Sequence, residues 1–338
     1  MKRAIRIGMD IAKNVFVIHG VDAQENTVLR KKAKRAEVLS LFAQLPVAVV
    51  GIESCGGSHY WAREISKLGH EVKLISPHFV TPYRRKGKND ANDADAICEA
   101  ISRPGMNFVS VKSETQQSVL MVHRVREQLI SDRTSLINQM RGHLMEFGVV
   151  LPVGKRNFQR GIQDVLADDG IPKLVVEILH AMLVRLSRLD EELSDLDKRV
   201  EQWSHQDATA AKLMLLDGIG ALTASALVAT AGNASAFKNG RQFAAWLGLV
   251  PQQYSSGGKN KLGGITKKGD KYLRKLLVHG ARTILLMSAK GRGRHAAWIE
   301  SLRERRPDNV VAVAMAAKQA RIAWAVMAGN YRVSPAGA

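Results

Sequence analysis

Four acids near the start of the chain stand where acids are costly to keep without a partner. Asp10 interrupts the apolar run of IGMDIAK, Glu53 ends AVVGIE, and Asp90 and Asp93 lie three apart in NDANDADAICEA. A charge inside a strand is unfavourable unless something answers it. Two acids three apart on a helix share a face. Hard oxygen ligands that converge in this way hold one or two divalent ions, Mg²⁺ or Mn²⁺, and assist phosphoryl chemistry. Asp95 points elsewhere on the same helix and is left out of the set. Each acid also has an ordinary reading: Asp90 as a helix cap, Glu53 as a surface residue at a strand end. The coincidence of three segments carries the argument.

The elements that must position these acids are legible in the first ~110 residues, which read as α/β. AIRIGMDI, NVFVIHGV and NTVLRKKA are strand-like, VLSLFAQL is helical and PVAVVGIES is a buried strand. SHYWAREISKLGH is an amphipathic helix, EVKLISP a strand and DANDADAICEAISR a helix. Three early strands followed by strand–helix alternation is the order of the ribonuclease H architecture. That architecture sets one Asp on its first strand, one acid at the end of its fourth and one or two more on a later helix. Sugar kinases and actin-like ATPases open with the same topology, but they need Gly-rich phosphate loops further on, and none is evident.

Residues 113–205 read as helical throughout. Val175, Leu179, Met182, Leu186, Leu189, Leu193, Leu196 and Val200 alternate spacings of four and three, a heptad seam. An intramolecular helical hairpin and a dimer-forming coiled coil both satisfy it.

Residues 206–338 form a further region. In LMLLDGIGALTASALVATAG, two helical stretches flank Gly218 and Gly220, as in a helix-hairpin-helix that offers backbone N–H groups to a DNA phosphate. An ordinary helical packing element reads the same way. From Lys259 to Arg306 there are 14 Lys or Arg against three acids, Asp270, Glu300 and Glu304. A solvated helix face mixes its signs more evenly, so this stretch reads as a phosphate-tracking surface, with Lys259, Lys261, Lys267, Lys268, Lys271 and Arg274 its leading contacts. In QQYSSGGKNKLGG, four glycines make a pliant loop and Ser255 and Ser256 are hydroxyls among cations. No His or Asp partner stands nearby, so hydrolase triad logic does not apply.

The charge balance agrees. Lys and Arg number 50 against 31 acids, a net charge of +19 with a pI near 10.1. Such an excess points to a polyanionic partner, nucleic acid before an anionic membrane. No apolar run is expected to approach the ~20 residues of a spanning helix, and MKRAIRIGMDIAKN is not a secretory leader. Cys55 and Cys98 form no zinc pattern and are expected to be reduced thiols in the cytoplasm.

Taken in order, GMDIAKNVFVIHG, GIESCGGSHYWA, GKNDANDADAICEA, LDGIGALTASAL and RQFAAWLGLVPQQYSSGGKNKLGGITKKGDKYLR resemble the IS110 family of insertion-sequence transposases, across essentially the whole chain. KNDANDADAICEAISRP and YSSGGKNKLGGITKKGD are most similar to its IS1111 subgroup. Ser54-Cys55-Gly56 stand where the family often has Ala-Thr-Gly, in keeping with the subgroup. The resemblance implies a RuvC-like DEDD domain over residues 1–112, a helical or coiled-coil region over 113–205 and a serine transposase domain over 206–338. It assigns the four acids to Asp10, Glu53, Asp90 and Asp93, and the nucleophile to Ser256, with Ser255 in the less constrained position before it. It implies attack of the serine on a DNA phosphate, a phosphoserine link and metal-bound acids that act with it, often across protomers. It further implies donor and target DNA chosen by a structured bridge RNA, a homodimer or tetramer, and a place in the bacterial cytoplasm with the nucleoid. A metal-dependent, structure-specific nuclease of Holliday-junction-resolvase type, with the serine inert, is the alternative; a catalytically inactive DNA-binding protein is the third class.

Overall fold

The computed structural model describes residues 3–84, 90–256 and 259–331; of Asp90, Ala91, Ser256, Lys259 and Asn260 it describes the backbone alone. The chain divides into two compact units, residues 1–116 with 231–236, and residues 117–230 with 237–338.

The first unit is built on one six-stranded sheet. Its elements run β1 (Arg6–Ile11), β2 (Val15–Val21), β3 (Thr27–Lys34), α1 (Val38–Gln44), β4 (Val49–Glu53), α2 (Ser58–Lys67), β5 (Glu71–Ile75), α3 (Pro77–Val80), α4 (Asp90–Ala100) and β6 (Phe108–Val109). The strand order is β3-β2-β1-β4-β5-β6. β1, β2 and β3 form an antiparallel meander, β4 and β5 run parallel to β1, and β6 returns antiparallel on β5. Alternation decides which face is which. Ile7, Met9, Phe16, Ile18, Val50 and Ile52 point to one face and are buried against Phe42 of α1 and Trp61, Ala62 and Ile65 of α2. Each such burial stabilises by roughly 1.5–3 kcal/mol.

The other face carries Gly8 and Gly51, and α4 lies directly on them. A Cβ on Gly8 would stand 2.0 Å from the Ala94 carbonyl oxygen, and one on Gly51 would stand 2.7 Å from the Ile101 side chain. The two glycines therefore set how close the helix comes. Ile97 of α4 and Ile101 just after it join Ile75 and Val80 in a second apolar cluster on that side.

The second unit is helical apart from one hairpin. Most of α5 (Glu114–Met145) belongs to it, followed by α6 (Lys155–Leu166), α7 (Lys173–Gln206), α8 (Ala208–Met214), α9 (Ala221–Ala231) and α10 (Gly240–Trp246). The hairpin β7 (Pro251–Ser256) and β8 (Lys259–Ile265) comes next, and α11 (Lys271–Ser288), α12 (Ala296–Arg303) and α13 (Asp308–Met327) complete it.

The heptad seam of α7 finds its partner within the chain. Leu179, Leu186 and Leu189 bury against Leu136, Ile137, Met140 and Leu144 of α5 and Phe158, Ile162 and Val165 of α6, with Val175 and Met182 packed beside them. Asp190 receives Arg133 at 3.0 Å and Lys155 at 2.7 Å, which ties the three helices together. The basic partners hold its carboxyl below the usual range against the opposing effect of burial.

The mixed α/β N-terminal sheet and the helical C-terminal region stand as the sequence led us to expect. Two readings change. Over the described residues the serine-bearing segment is a ladder rather than a pliant loop, with Gln253, Tyr254 and Ser255 paired to Leu262, Lys261 and Asn260; Gly257 and Gly258 lie outside those residues. One helix, α13, is long and apolar enough to cross a membrane by length and composition, with mean hydropathy 1.4. Val311, Met315, Ala316, Ala320 and Ala323 of that helix are buried in the second unit, which accounts for its apolar character. Its small side chains let α11 and α10 pack closely on it.

Candidate active site

Asp10 and Glu53 follow, one position on, the last paired residues of two adjacent parallel strands. Met9 pairs with Ile52, so the next residues, Asp10 and Glu53, emerge side by side from β1 and β4. By alternation both face the α4 side, as Gly8 and Gly51 do. Both are half-buried. Cys55, just beyond, senses them: burial pushes its thiol up, and the negative charges of Glu53 and Asp10 push it further.

α4 brings the remaining acids over these strand ends. Asp90 is its first residue, and its side chain lies outside the described residues. Asp93 is in the first turn and half-buried. Arg84 joins two of the acids, its Nη2 donating to Glu53 Oε2 at 2.8 Å and its Nε facing Asp93 Oδ1 at 2.9 Å. Two carboxylates from a strand and a helix thus already share one cation. Among the described residues, no three His, Cys, Asp or Glu side chains are close enough to hold a single ion as they stand. The set is all carboxylate, which suits a hard divalent ion. Arg84 was missed from sequence; the signal was there in TPYRRKGKND, a basic run abutting the acids.

In the second unit, Ser256 is the last residue of β7 and its backbone pairs with Lys259; the side chains of both lie outside the described residues. Ser255 is exposed and its Oγ accepts from Gln253 Nε2 at 2.8 Å. Lys261, Lys267, Lys268 and Lys271 are exposed, spread over β8, the turn after it and the start of α11. Arg274 is different. Its Nη1 donates to the carbonyls of Leu247 at 3.0 Å and Gly269 at 3.2 Å, so it clamps the turn onto the end of α10.

The two glycines of DGIG also part ways. Gly218 has φ +73° and sits against α11, where an added Cβ would meet the Gly280 carbonyl oxygen at 2.6 Å. The Gln319 side chain donates to the neighbouring Asp217 carbonyl. Gly220 is exposed just before α9, with open space beside it.

Sequence reading also missed a buried polar tie in this unit. His123 of α5 contacts Tyr272 Oη of α11 at 2.9 Å and Ser225 Oγ of α9 at 3.1 Å. Burial lowers the His123 imidazole to about 4 and raises the Tyr272 phenol to about 12. Both stay neutral near pH 7.

The chain matches two family profiles: a DEDD transposase profile of IS110 type, over residues 7–148, and "Transposase IS116/IS110/IS902 family", over residues 210–296. It is 47% identical to a probable family 20 transposase of Pseudomonas aeruginosa, over 95% of this chain and 96% of that one. It is 42% identical to the transposase for insertion sequence element IS1328 of Yersinia enterocolitica, over 96% and 97% of the two chains. It is 37% identical to the transposase for insertion sequence element IS1111A of Coxiella burnetii, over 97% and 90%. The chain thus belongs to the class of enzymes that cut and rejoin DNA. The chain is a member of the IS110 family of transposases. Transposases of the DEDD type generally use divalent metal ions.

Proposed function

We propose that the chain moves an insertion sequence by a serine mechanism supported by metal-bound acids. Asp10, Glu53, Asp90 and Asp93 are the metal ligands and Ser256 is the nucleophile. The observation that carries this reading is the seat of α4 on Gly8 and Gly51, with Glu53 and Asp93 drawn to one guanidinium next to the strand end that bears Asp10. The strand order, with acids on the first strand, at the end of the fourth and on a later helix, supports a RuvC-like fold for residues 1–112. Residues 113–205 then form the helical spacer and 206–338 the serine domain, with a helix-hairpin-helix at Gly218 and Gly220.

A divalent ion on the carboxylates would polarise the scissile phosphate and offset the charge of its transition state. Ser256 Oγ forms the new bond to phosphorus as the hydroxyl proton leaves it. The bond from phosphorus to the departing strand's oxygen breaks, and that oxygen takes up a proton. The phosphodiester energy is kept in the serine ester, which suits rejoining rather than hydrolysis. Lys259, Lys261, Lys267, Lys268, Lys271 and Arg274 gather on or beside the serine hairpin and suit contacts to donor and target DNA, with Arg274 acting through the turn it clamps. Selection by a bridge RNA, assembly as a homodimer or tetramer, and work in the cytoplasm beside the nucleoid complete the proposal; they rest on the family resemblance.

The test is a covalent adduct. The full chain is incubated with element-end DNA, guide RNA and Mg²⁺, and protein attached to DNA is resolved on a denaturing gel. Ser256→Ala and Asp10→Ala should each abolish the adduct. Cleavage that persists in Ser256→Ala and is lost in Asp10→Ala would make the chain a metal-dependent nuclease instead.

A further inference from the structure

We infer that the outer strand β3 is a phosphate ladder that holds the DNA strand flanking the acid site, through Arg30, Lys32 and Lys34. Asp10 pairs with Val17, and Val17 pairs with Lys32. One row of the sheet therefore runs Asp10, Val17, Lys32, and directly paired residues point to the same face. Strands lie ~4.8 Å apart, so Lys32 stands about 10 Å from Asp10 along that row. The neighbouring row runs Gly8, His19, Arg30, and Lys34 pairs with Val15. Arg30, Lys32 and Lys34 thus share the face that bears the acids and follow one another at about 7 Å. That step is close to the one between neighbouring phosphates of an extended strand.

The face in front of this ladder is open. α4 covers β1, β4 and the near side of β2, and stops short of β3. Two adjoining hollows of about 390 and 250 Å³ remain, sharing His19, Arg30 and Asp95. Asn92, next to Asp93, lines one of them, so the trough begins beside the acids and runs along α4.

The charges in the trough are unevenly engaged. On its acidic side Asp95 faces His19 at 3.3 Å, Glu99 takes Arg103 and Glu25 takes Arg6. On the β3 side, Arg30, Lys32 and Lys34 are exposed and, among the described residues, none forms an ion pair. A sheet edge is commonly protected from unwanted pairing by charged side chains, lysine above all. Here RKKAKR places five cations in six positions, Arg30, Lys31, Lys32, Lys34 and Arg35. A row of unanswered cations, in step with a phosphate backbone and in line with the acids of a DNA-cutting enzyme, fits DNA. None of these residues lies in the basic stretch that the sequence marked for nucleic acid.

Salt dependence tests the assignment on the full chain. Binding to a fluorescein-labelled DNA duplex is followed by anisotropy over a series of KCl concentrations. Arg30→Gln/Lys32→Gln should bind about tenfold more weakly at moderate salt, with a log–log salt slope shallower by about two, since each phosphate contact contributes ~0.9. The control Lys67→Gln/Lys173→Gln removes the same charge at exposed positions that line neither hollow and should keep the wild-type slope. The charge-conserving Arg30→Lys/Lys32→Arg should keep it as well. All variants should melt with the wild type, because the side chains are exposed. Equal slopes in the wild type and Arg30→Gln/Lys32→Gln overturn the inference. So does an equal loss in the control, which would mean that net charge alone matters. Loss of binding to a structured RNA with DNA binding unchanged also overturns it.

Discussion

Arg84 donates from two different nitrogens to Glu53 and Asp93, and its removal leaves two carboxylates facing each other. The guanidinium and a divalent ion compete for the same oxygens. Arg84→Ala is therefore expected to bind Mn²⁺ about tenfold more tightly without nucleic acid, because removing one nearby positive charge changes the energy by ~1 kcal/mol or more in a half-exposed setting. An EPR titration of free Mn²⁺ reads this directly, and an unchanged affinity shows that the guanidinium does not compete. Asp93→Asn keeps the shape of the site and removes a charge. Strand cleavage should fall by about a thousandfold, the scale of losing one electrostatic partner of a phosphoryl transition state, while the thermal melt stays near wild type.

At the scale of elements, the approach of α4 to the sheet rests on two positions that have no side chain. Gly8→Ala places a methyl group in the Ala94 carbonyl, so the helix must lift. The expected cost is about 3 kcal/mol of stability by urea unfolding, with cleavage lost because Asp93 leaves the strand ends. The tie between α5, α9 and α11 gives a pH dependence with a definite sign. His123 has an ordinary value of 6.5 and is lowered to about 4 by burial. Between those values the unfolded chain binds the extra proton. Stability is therefore complete above about pH 6.5 and is lost as pH falls toward 4, by up to about 3 kcal/mol. Urea unfolding at neutral and acid pH measures this, and His123→Gln should flatten that part of the profile.

For the whole molecule, a net charge of +19 sets how it meets DNA. With six or more phosphates contacted, affinity should drop by about a thousandfold between low and near-physiological salt. Anisotropy titrations check this, and a flat response would deny the basic surfaces a role. The seam of α7 contributes to the stability of the chain itself. Leu186 is buried among α5 and α6 side chains. Leu186→Ala should cost about 2–5 kcal/mol in unfolding.

Sequence alone determined much of this protein because local patterns are local physics. Period-two apolar runs yield β1, β2, β4 and β5, and the acids fall at positions a strand end or a first helical turn imposes. The charge excess named the partner, and the motif order named the family. Tertiary structure decided what depends on contact across distance. A heptad seam reads the same whether its partner is α5 or a second chain, and only packing sets Leu179, Leu186 and Leu189 against α5 and α6. QQYSS reads as a loop until β8 is there to pair with β7. Gly218 reads as a turn in four letters, and only the fold shows that a side chain there would meet the Gly280 carbonyl of α11. Arg274 counts as one more cation until the carbonyls of Leu247 and Gly269 are found beside it. Lys32 reaches the row of Asp10 only because β2 lies between them, and strand register is not written in any one strand.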